Sequence, residues 1–351
     1  MNRLDKPKLF RAVVIFIGII GIFADADDTQ MAQQFLTDIR IQAEVAEKAG
    51  STAVKGSDGW LFFAPELRHL SVGRFWGDAA AKVSRALKPE YADPLPAILD
   101  FKAQLDKVGI ELILVPVPAK ATIYPEKISD QIAVPSRVDR NHLEFYDLLR
   151  KQGVNVLDLT TFFIRHRFTK AGPLYCEQDT HWSGYGCILA AQAIAEAIGD
   201  RPWLAEVEKR DYQAEMRIVE ITGDLWKALG EENLPKEQLQ LTFVRERTAD
   251  GTCPVAPWRE SPIVLLGDSH NLVFHSGGDM HSLGSGLPDH LAHRIGFPVD
   301  LVAVRGSGAT PSRLSLFRRR DNMKGKQLVI WCFSIREFTE GQGWRKIPVI
   351  R

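Results

Sequence analysis

A serine follows a short apolar segment at residues 263–269, where its hydroxyl could act as a nucleophile. Residues 263–266 are all apolar and are followed by Gly267, Asp268 and Ser269. A short apolar run bounded by polar residues is typical of a buried strand. A glycine directly after the strand permits a tight turn, which would expose Ser269 at the strand end. A turn with a helix cap has the same pattern, so this motif alone leaves both interpretations open.

An aspartate and a histidine that could activate such a serine lie near residue 180. Asp179 and His181 immediately precede a predicted helix that begins at Ser183. A serine hydroxyl is a weak nucleophile until a base removes its proton, and an imidazole has a suitable pKa. A carboxylate at the far nitrogen of the ring fixes its tautomer and orientation. A helix cap beside a surface histidine is the alternative for this pair.

A glycine-rich turn at residues 304–310 could supply hydrogen-bond donors. It contains Gly306 and Gly308 and follows an apolar segment at 299–304. Backbone N–H groups in such a turn can stabilise an oxyanion. The turn lacks the GxxxxGK[ST] pattern, which excludes a P-loop, and a plain flexible turn is the alternative. Each of the three motifs is weak alone, but together they predict a site with a nucleophile, a base, an orienting acid and oxyanion donors.

Short apolar strands alternate with helices from about residue 92 onward. This alternation predicts a doubly wound parallel sheet with helices on both faces, in one α/β domain. Reactive groups in such sheets collect at the carboxyl ends of the strands, where all three motifs lie. Residues 201–258 lack the alternation and are predicted to be an insertion. The predicted strands are 111–117, 154–159, 263–266, 299–304 and 327–332, and the predicted helices lie near 98–109, 140–152, 183–198 and 288–295.

Composition excludes several classes of protein. The 351 residues are 45% hydrophobic and 25% charged, which excludes collagen-like, coiled-coil and wholly disordered chains. Lys+Arg and Asp+Glu both number 44, so the charge balance predicts no nucleic-acid partner. The cysteines lack CxxC spacing, and neither a disulfide scaffold nor a metal site is predicted. They are Cys176, Cys187, Cys253 and Cys332.

The N-terminus is predicted to carry a targeting signal, and a buried core helix is disfavoured because the charge changes so sharply on both sides of its apolar run. Basic residues precede an uncharged apolar run at 12–24, which is shorter than the roughly 20 residues a membrane-spanning helix needs. Residues 1–26 are therefore a signal peptide cleaved near 24–26, or a retained anchor, and both alternatives stay open. Either one places the rest of the chain outside the cytoplasm. Residues 27–55 are predicted to be a membrane-proximal helix or linker and 56–351 the catalytic domain.

Two of the motifs resemble those of the SGNH/GDSL hydrolases. Residues 267–269 resemble their nucleophile block and 306–310 their glycine block. The resemblance implies that Ser269 is the nucleophile, His181 the general base and Asp179 the residue that orients it. The backbone N–H groups of Ser269 and Gly308 would be the oxyanion donors. Ordinary members carry the serine first and the Asp/His pair last, so the order here is that of a circularly permuted chain.

The permuted order is similar to that of the periplasmic alginate O-acetyltransferases of the AlgJ/AlgX type. We expect no carbohydrate-binding domain at the C-terminus, a layout closer to AlgJ. Further matching segments are 56–62, 115–120, 124–125, 179–182, 223–225 and the last strand with Trp331 and Arg336.

This resemblance implies an O-acetyltransferase that moves an acetyl group through an acyl-serine onto hydroxyls of an exported polysaccharide, alginate or a similar one. The enzyme would hold no cofactor. Acetyl groups would come from acetyl-CoA through a membrane acyltransferase partner of the MBOAT class, and the protein would act in the periplasm. The alternatives are a periplasmic SGNH carbohydrate esterase with the same triad and a non-catalytic subunit for polysaccharide assembly.

Four other residues are candidates for site roles. Arg336 either replaces the asparagine that ordinary SGNH enzymes place after the last strand, as an oxyanion donor, or pairs with Glu337 or a surface carboxylate. Lys120 and Tyr124 line the acceptor groove or belong to a loop with exposed polar tips. Trp182 stacks on a sugar ring or packs against the predicted helix.

Two further groups of residues complete the predictions. A disulfide between Cys176 and Cys187 would rigidify the Asp179 loop, whereas Cys332 is predicted to be a buried free thiol. Three further histidines and an aspartate are predicted to lie in a polar surface loop rather than at a metal. They are Asp279, His281, His290 and His293.

Overall fold

The structure, a computed structural model, describes residues 20–129, 137–231 and 233–351, with side chains from residue 29 onward. Most of the predicted signal or anchor segment, residues 1–19, lies outside these ranges. Within them, no helix combines the length and the apolar character that crossing a membrane requires.

Strands and helices alternate through most of the described chain. The strands are β1 (Ala53–Lys55), β2 (Leu61–Phe63), β3 (Glu111–Val117), β4 (Asn155–Val156), β5 (Tyr212–Ile221), β6 (Glu237–Thr248), β7 (Gly251–Pro254), β8 (Ile263–Gly267), β9 (Asp300–Ala303) and β10 (Leu328–Ser334). The helices are α1 (Ile20–Lys48), α2 (Ala64–Ser71), α3 (Ala80–Val83), α4 (Leu95–Asp106), α5 (Lys120–Ile123), α6 (Arg140–Lys151), α7 (Thr160–His166), α8 (Gly184–Ile198), α9 (Asp224–Leu229), α10 (Leu287–Ile295), α11 (Thr310–Arg319) and α12 (Glu337–Glu340).

A five-stranded parallel sheet forms the centre of the molecule, with the strand order β4-β3-β10-β8-β9. Every residue of β8 and β10 is buried, and so is every residue of β3 except Glu111. Successive side chains of a strand point to opposite faces, so burial of both sets requires cover on both faces. The predicted parallel α/β fold is confirmed, and β4 is shorter than predicted because it is an edge strand.

A second, antiparallel sheet of β5, β6 and β7 occupies the predicted insertion. Leu239 and Leu241 of β6 are buried in the same core as the central sheet, which attaches the insertion to the domain. On β5 most side chains are exposed, including Met216 and Ile218. That strand therefore shows no apolar pattern that the sequence could reveal.

The long helix α1 also contributes to the core. Phe35, Ile39 and Ala43 recur every four residues on one face and are buried among the core residues of the domain. Part of the predicted membrane-proximal segment 27–55 thus packs against the domain that follows it.

Candidate active site

The structure brings Ser269, His181 and Asp179 together in a hydrogen-bonded chain. The Oγ of Ser269 lies 2.8 Å from Nε2 of His181. On the other side of the ring, Nδ1 lies 2.6 Å from Oδ1 of Asp179. With the Nδ1 proton donated to the carboxylate, Nε2 is free to accept the proton of the serine hydroxyl. Ser269 and His181 are 88 positions apart in the sequence. Together with Asp179 they have the geometry of a nucleophile, its base and the acid that orients the base.

Ser269 is held at the carboxyl end of β8 by a turn that only glycine can begin. A Cβ atom on Gly267 would lie 1.7 Å from the carbonyl oxygen of Cys332 in the adjacent strand. The carboxylate of Asp268 then fixes the turn, because it accepts the N–H of His270 at 2.9 Å and that of Ser334 at 2.8 Å. The nucleophile is thereby tied to the ends of both β8 and β10.

The loop that carries Asp179 and His181 is anchored by two side chains from the interior. Nζ of Lys120 donates to the carbonyl oxygens of Asp179 at 2.6 Å and Leu61 at 2.8 Å. Nε1 of Trp182 donates to the carbonyl oxygen of His270 at 3.0 Å, which joins this loop to the nucleophile turn. Both contacts hold the base at a fixed distance from the serine.

The structure places the side chains of Lys120, Tyr124 and Trp182 in the interior, so it gives no support to the alternative in which they contact the acceptor. Their exposed fractions are 1%, 3% and 0%. Burial lowers the pKa of Lys120, although neighbouring anionic groups oppose the shift. The hydroxyl of Tyr124 donates to the carbonyl oxygen of Arg167 at 3.1 Å and accepts the N–H of Leu174 at 2.8 Å. All three side chains support the backbone beneath the site.

The predicted insertion also supports the catalytic loop. Asp224 donates its N–H to Oδ2 of Asp179 at 2.9 Å, and its own Oδ1 accepts the N–H of Thr180 at 2.8 Å. The carboxylate of Glu237 accepts the N–H groups of Glu177 and Gln178 at 2.7 and 3.0 Å, and burial raises its pKa to about 7. The insertion therefore fixes the backbone on either side of Asp179.

A second histidine reaches the orienting aspartate, although no motif in the sequence indicates this contact. Nε2 of His281 lies 2.9 Å from Oδ2 of Asp179, although the two residues are 102 positions apart. His281 lies in a partly exposed loop, as predicted, but its side chain turns inward and is only 9% exposed. Only the folded topology brings these residues together.

One group of residues has the composition of a metal site. Ligand-type atoms of Asp179, His181 and Asp224 lie within 4.8 Å of one another. Both oxygens of Asp179 and both oxygens of Asp224 already accept hydrogen bonds within the loop. Nδ1 of His181 is engaged by Asp179 and Nε2 by Ser269, so the donor set fits proton transfer better than metal binding.

The pKa shifts of Asp179 and His181 favour an ionised aspartate beside the histidine. Burial alone would raise the pKa of Asp179, but His181 and His281 hold it well below its usual range. Burial alone would lower the pKa of His181, but the Asp179 carboxylate outweighs it and raises the pKa above 6.5. Burial lowers the pKa of His270 to about 4 despite its contact with Asp268, so this histidine is neutral near pH 7.

These shifts predict the pH dependence of acylation. His181 accepts a proton only when neutral, so the rate falls as the pH drops through its pKa in the free enzyme. Because the pKa of His181 is raised, we expect the midpoint of the acidic limb of kcat/KM to lie above 6.5. The measurement is kcat/KM for an activated acetyl ester at a series of pH values. A midpoint at or below 6.5 would contradict the coupling of His181 to Asp179.

Gly308 packs directly against the nucleophile turn. A Cβ atom at this position would lie 2.5 Å from Cβ of Phe333 and 2.9 Å from the backbone nitrogen of Asp268. The carbonyl oxygen of Gly308 accepts the indole N–H of Trp331 at 2.8 Å, which fixes the peptide. In the parts of the chain that the structure describes, the N–H groups of Ser269 and Gly308 donate to no protein acceptor. Their assignment as oxyanion donors stays a prediction.

The glycine block is held in place by hydrogen bonds to the carboxylate of Glu337. One oxygen of its carboxylate accepts the hydroxyl of Ser307 at 2.7 Å and the N–H of Ala309 at 3.3 Å. Burial raises the pKa of Glu337 to about 7. These two bonds flank Gly308 and set the direction of its peptide.

Replacing Gly308 with alanine is expected to cost about 1–3 kcal/mol of unfolding free energy, because the neighbours are backbone and Cβ atoms that cannot move cheaply. If the displaced N–H is an oxyanion donor, kcat falls by about 10²- to 10³-fold as well. Urea unfolding and ester turnover measure the two effects. Gly306→Ala is the matched control, since a Cβ there meets no atom within 4 Å, and only its positive φ carries a cost. Equal kcat for both variants would contradict the role of Gly308.

One of the two alternatives for Arg336 is a pairing with Glu337 or a surface carboxylate, but Arg336 lies in the interior and pairs with a buried carboxylate instead. Its Nη1 donates to Oγ of Ser334 at 3.1 Å and lies 3.8 Å from the buried carboxylate of Glu66. The predicted pairing with Glu337 is therefore wrong. Its role as an oxyanion donor stays a prediction.

The cysteines are all unpaired. The Cys176–Cys187 disulfide is absent, and Cys332 is the buried free thiol that was predicted. His290 and His293 line a cavity of about 710 Å³ next to α8. Asp279 pairs with Arg305.

Comparison with known proteins agrees with this geometry. The family model described as the SGNH hydrolase-like domain of acetyltransferase AlgX matches residues 53–335. The chain belongs to this family. The predicted AlgJ/AlgX-type membership is thus confirmed.

Individual relatives carry related names. A "probable alginate O-acetylase AlgJ" of Pseudomonas syringae pv. tomato is 30% identical over 173 residues, covering 49% of this chain and 40% of the relative. The protein of the same name from Pseudomonas aeruginosa is 25% identical over 297 residues, covering 80% and 68%. The chain therefore spans between 40% and 68% of the length of these two relatives.

Two solved structures confirm the fold. The O-acetyltransferase domain of Pseudomonas putida AlgJ matches with a TM-score of 0.60 and 23% identity, over 82% of this chain and 92% of that one. Pseudomonas aeruginosa AlgX matches with a TM-score of 0.59 and 19% identity, over 85% and 66%.

Proposed function

We propose that this protein is an O-acetyltransferase that moves an acetyl group through an ester on Ser269 to a hydroxyl of alginate or a similar exported polysaccharide. The observation that carries the proposal is the 2.8 Å contact between Ser269 Oγ and His181 Nε2, in a chain of the AlgX family. The choice of an acetyl group and of alginate as the acceptor is supported by the names of the relatives.

The first half of the reaction loads the serine. His181 takes the hydroxyl proton at Nε2 while Oγ of Ser269 attacks the carbonyl carbon of the acetyl donor. The negative charge on the former carbonyl oxygen is stabilised by the N–H groups of Ser269 and Gly308. When the donor bond breaks, His181 returns its proton to the leaving group, and the acetyl ester of Ser269 remains.

The second half transfers the acetyl group to sugar. A polysaccharide hydroxyl attacks the ester and gives its proton to His181, which then protonates Oγ of Ser269 as the ester bond breaks. Water in the place of the sugar would give acetate, so transfer depends on binding of the acceptor. A groove of about 590 Å³ beside the catalytic loop is our candidate for that binding, with Lys170, Gln178 and Tyr185 among its lining residues.

Partners and location follow from the family resemblance. The acetyl donor would be supplied from acetyl-CoA by a membrane acyltransferase of the MBOAT class, since acetyl-CoA is cytoplasmic and the N-terminal segment predicts export. The protein would act in the periplasm, either released by cleavage or attached by residues 1–26. No bound cofactor is needed for either half-reaction.

The test is transfer to a defined acceptor. The full chain is incubated with an activated acetyl ester and oligomannuronate, and acetylated sugar and free acetate are both quantified, with Ser269→Ala as the control. Acetyl esters on the sugar in the wild type alone are expected. Removal of acetyl groups from acetylated alginate without any transfer would replace the proposal by the esterase. Equal products from both folded proteins would leave the non-catalytic subunit.

A further inference from the structure

We propose that His281 is a positioning residue that holds the Asp179 carboxylate in the orientation required by the His181 base. This inference rests on the proposed acyl-transfer function and extends the triad by a second histidine. It is carried by the contact of His281, by the conformation of its backbone and by the anchoring of its loop.

The contact completes the hydrogen bonding of Asp179. Oδ1 accepts the backbone N–H of His181 at 3.0 Å and its ring Nδ1–H at 2.6 Å. Oδ2 accepts the N–H of Asp224 at 2.9 Å and faces Nε2 of His281 at 2.9 Å. Since a carboxylate only accepts, the proton of His281 must lie on Nε2. Each oxygen then has one backbone and one imidazole donor, which fixes the plane of the carboxylate.

The backbone at His281 is strained. Its dihedral angles are φ 70° and ψ −55°, and the N–H of Ser282 donates to the carbonyl oxygen of Met280 at 3.0 Å. This is the γ-turn with positive φ, which is rare for any residue with a Cβ atom. Strain of this kind persists only where the surroundings enforce it, and it concentrates at functional sites. Glycine would adopt these angles without cost, yet the position carries the side chain that reaches Asp179.

The loop around His281 is fixed at several points. Ser276 and Leu283 form an isolated antiparallel bridge, and the N–H of Phe274 donates to the carbonyl oxygen of Met280 at 2.8 Å. At the tip, the carboxylate of Asp279 pairs with Arg305, which begins the turn that contains Gly308. The imidazole is therefore presented to Asp179 by a defined loop.

Loss of His281 is expected to weaken catalysis by loosening the orientation of the Asp179 carboxylate. Without His281, Oδ2 keeps a single donor and the carboxylate can rotate away from Nδ1 of His181. Outer hydrogen-bond partners that orient a catalytic or ligating group typically contribute 10- to 100-fold. We expect a loss of about that size in kcat with KM nearly unchanged, because the change acts on the base and not on substrate contacts.

The experiment compares substitutions that separate strain from hydrogen bonding, using the full chain with an activated acetyl ester. His281→Gly relieves the backbone and removes the donor, so kcat should fall about 10- to 100-fold while the urea midpoint stays equal or rises. His281→Gln keeps an N–H donor at similar reach and should recover most of the loss. If His281 had only a structural role, His281→Gly would not combine a lower kcat with undiminished stability.

The matched control is Arg320→Gly, which relieves another positive φ of 54° at an exposed residue at the end of α11. Its stability should change in the same direction and its kcat should stay that of the wild type. Wild-type kcat in His281→Gly, or no recovery in His281→Gln, would overturn the inference while Ser269→Ala still abolishes turnover. Equal turnover in wild type and Ser269→Ala would overturn the proposed function and, with it, the role of His281.

Discussion

Replacing Ser269 with alanine is expected to reduce acetyl transfer by at least about 10³-fold, because the variant has no nucleophile to carry the acetyl group. The fold should be nearly unaffected. The hydroxyl makes one side-chain contact, to Nε2 of His181, and a single neutral hydrogen bond contributes only about 1 kcal/mol. The measurements are turnover of an activated acetyl ester and urea unfolding of the same preparation.

Ser315→Ala is the matched control for this substitution. The Ser315 hydroxyl also makes one hydrogen bond, to the carbonyl oxygen of Pro311 within α11 at 3.1 Å. It should change stability by a similar small amount and leave turnover at the level of the wild type. Comparable turnover in Ser269→Ala and Ser315→Ala would mean that the acetyl chemistry lies elsewhere.

Replacing Asp179 with asparagine should lower kcat by about 10⁴-fold, the size of effect seen when the orienting acid of such a triad is neutralised. The NH2 group of asparagine can only donate a hydrogen bond. Where it replaces the carboxylate oxygen that accepts the Nδ1 proton of His181, it favours the wrong tautomer of the ring. The carboxylate that raises the pKa of His181 would also be gone, so the acidic limb of the pH profile should move to lower pH. A full pH profile of kcat/KM measures both changes.

The chain offers a matched control for this variant in another buried aspartate–histidine pair. Oδ1 of Asp289 lies 3.0 Å from Nδ1 of His275, and its carboxylate also caps the start of α10. Asp289→Asn should therefore lower the unfolding free energy by about 0.5–2 kcal/mol and leave kcat of the folded protein within a few-fold. If Asp289→Asn lost as much activity as Asp179→Asn, general destabilisation would explain both losses.

The sequence predicts where the candidate nucleophile lies for a physical reason. Central parallel strands must be apolar on both faces, so β3, β8 and β10 stand out as uninterrupted apolar runs. Once these strands are placed, their carboxyl ends must share one edge of the sheet. Ser269 and the glycine block fall at that edge by position alone, and a serine that acts as a nucleophile requires a nearby base.

The direction of a side chain and contacts across long separations could not be predicted. Lys120 and Trp182 follow strand ends or loops where polar tips are common, but their polar atoms turn inward to bind backbone carbonyl groups. His281 reaches Asp179 across 102 positions, and no local pattern marks such a contact. The exposed strand β5 carries no periodic apolar signal because few of its side chains are buried.

In the proposed reaction, Ser269, activated by His181, carries the acetyl group to a sugar. Its most direct test is to trap the acyl-enzyme with an activated acetyl ester, locate the added acetyl group by peptide mass mapping, and then add oligomannuronate. We expect one acetyl group on the peptide that contains Ser269, absent from Ser269→Ala and His181→Ala, and its movement to the sugar when the acceptor is added. An acetyl group on another residue, or acetylated sugar formed equally by Ser269→Ala, would contradict it.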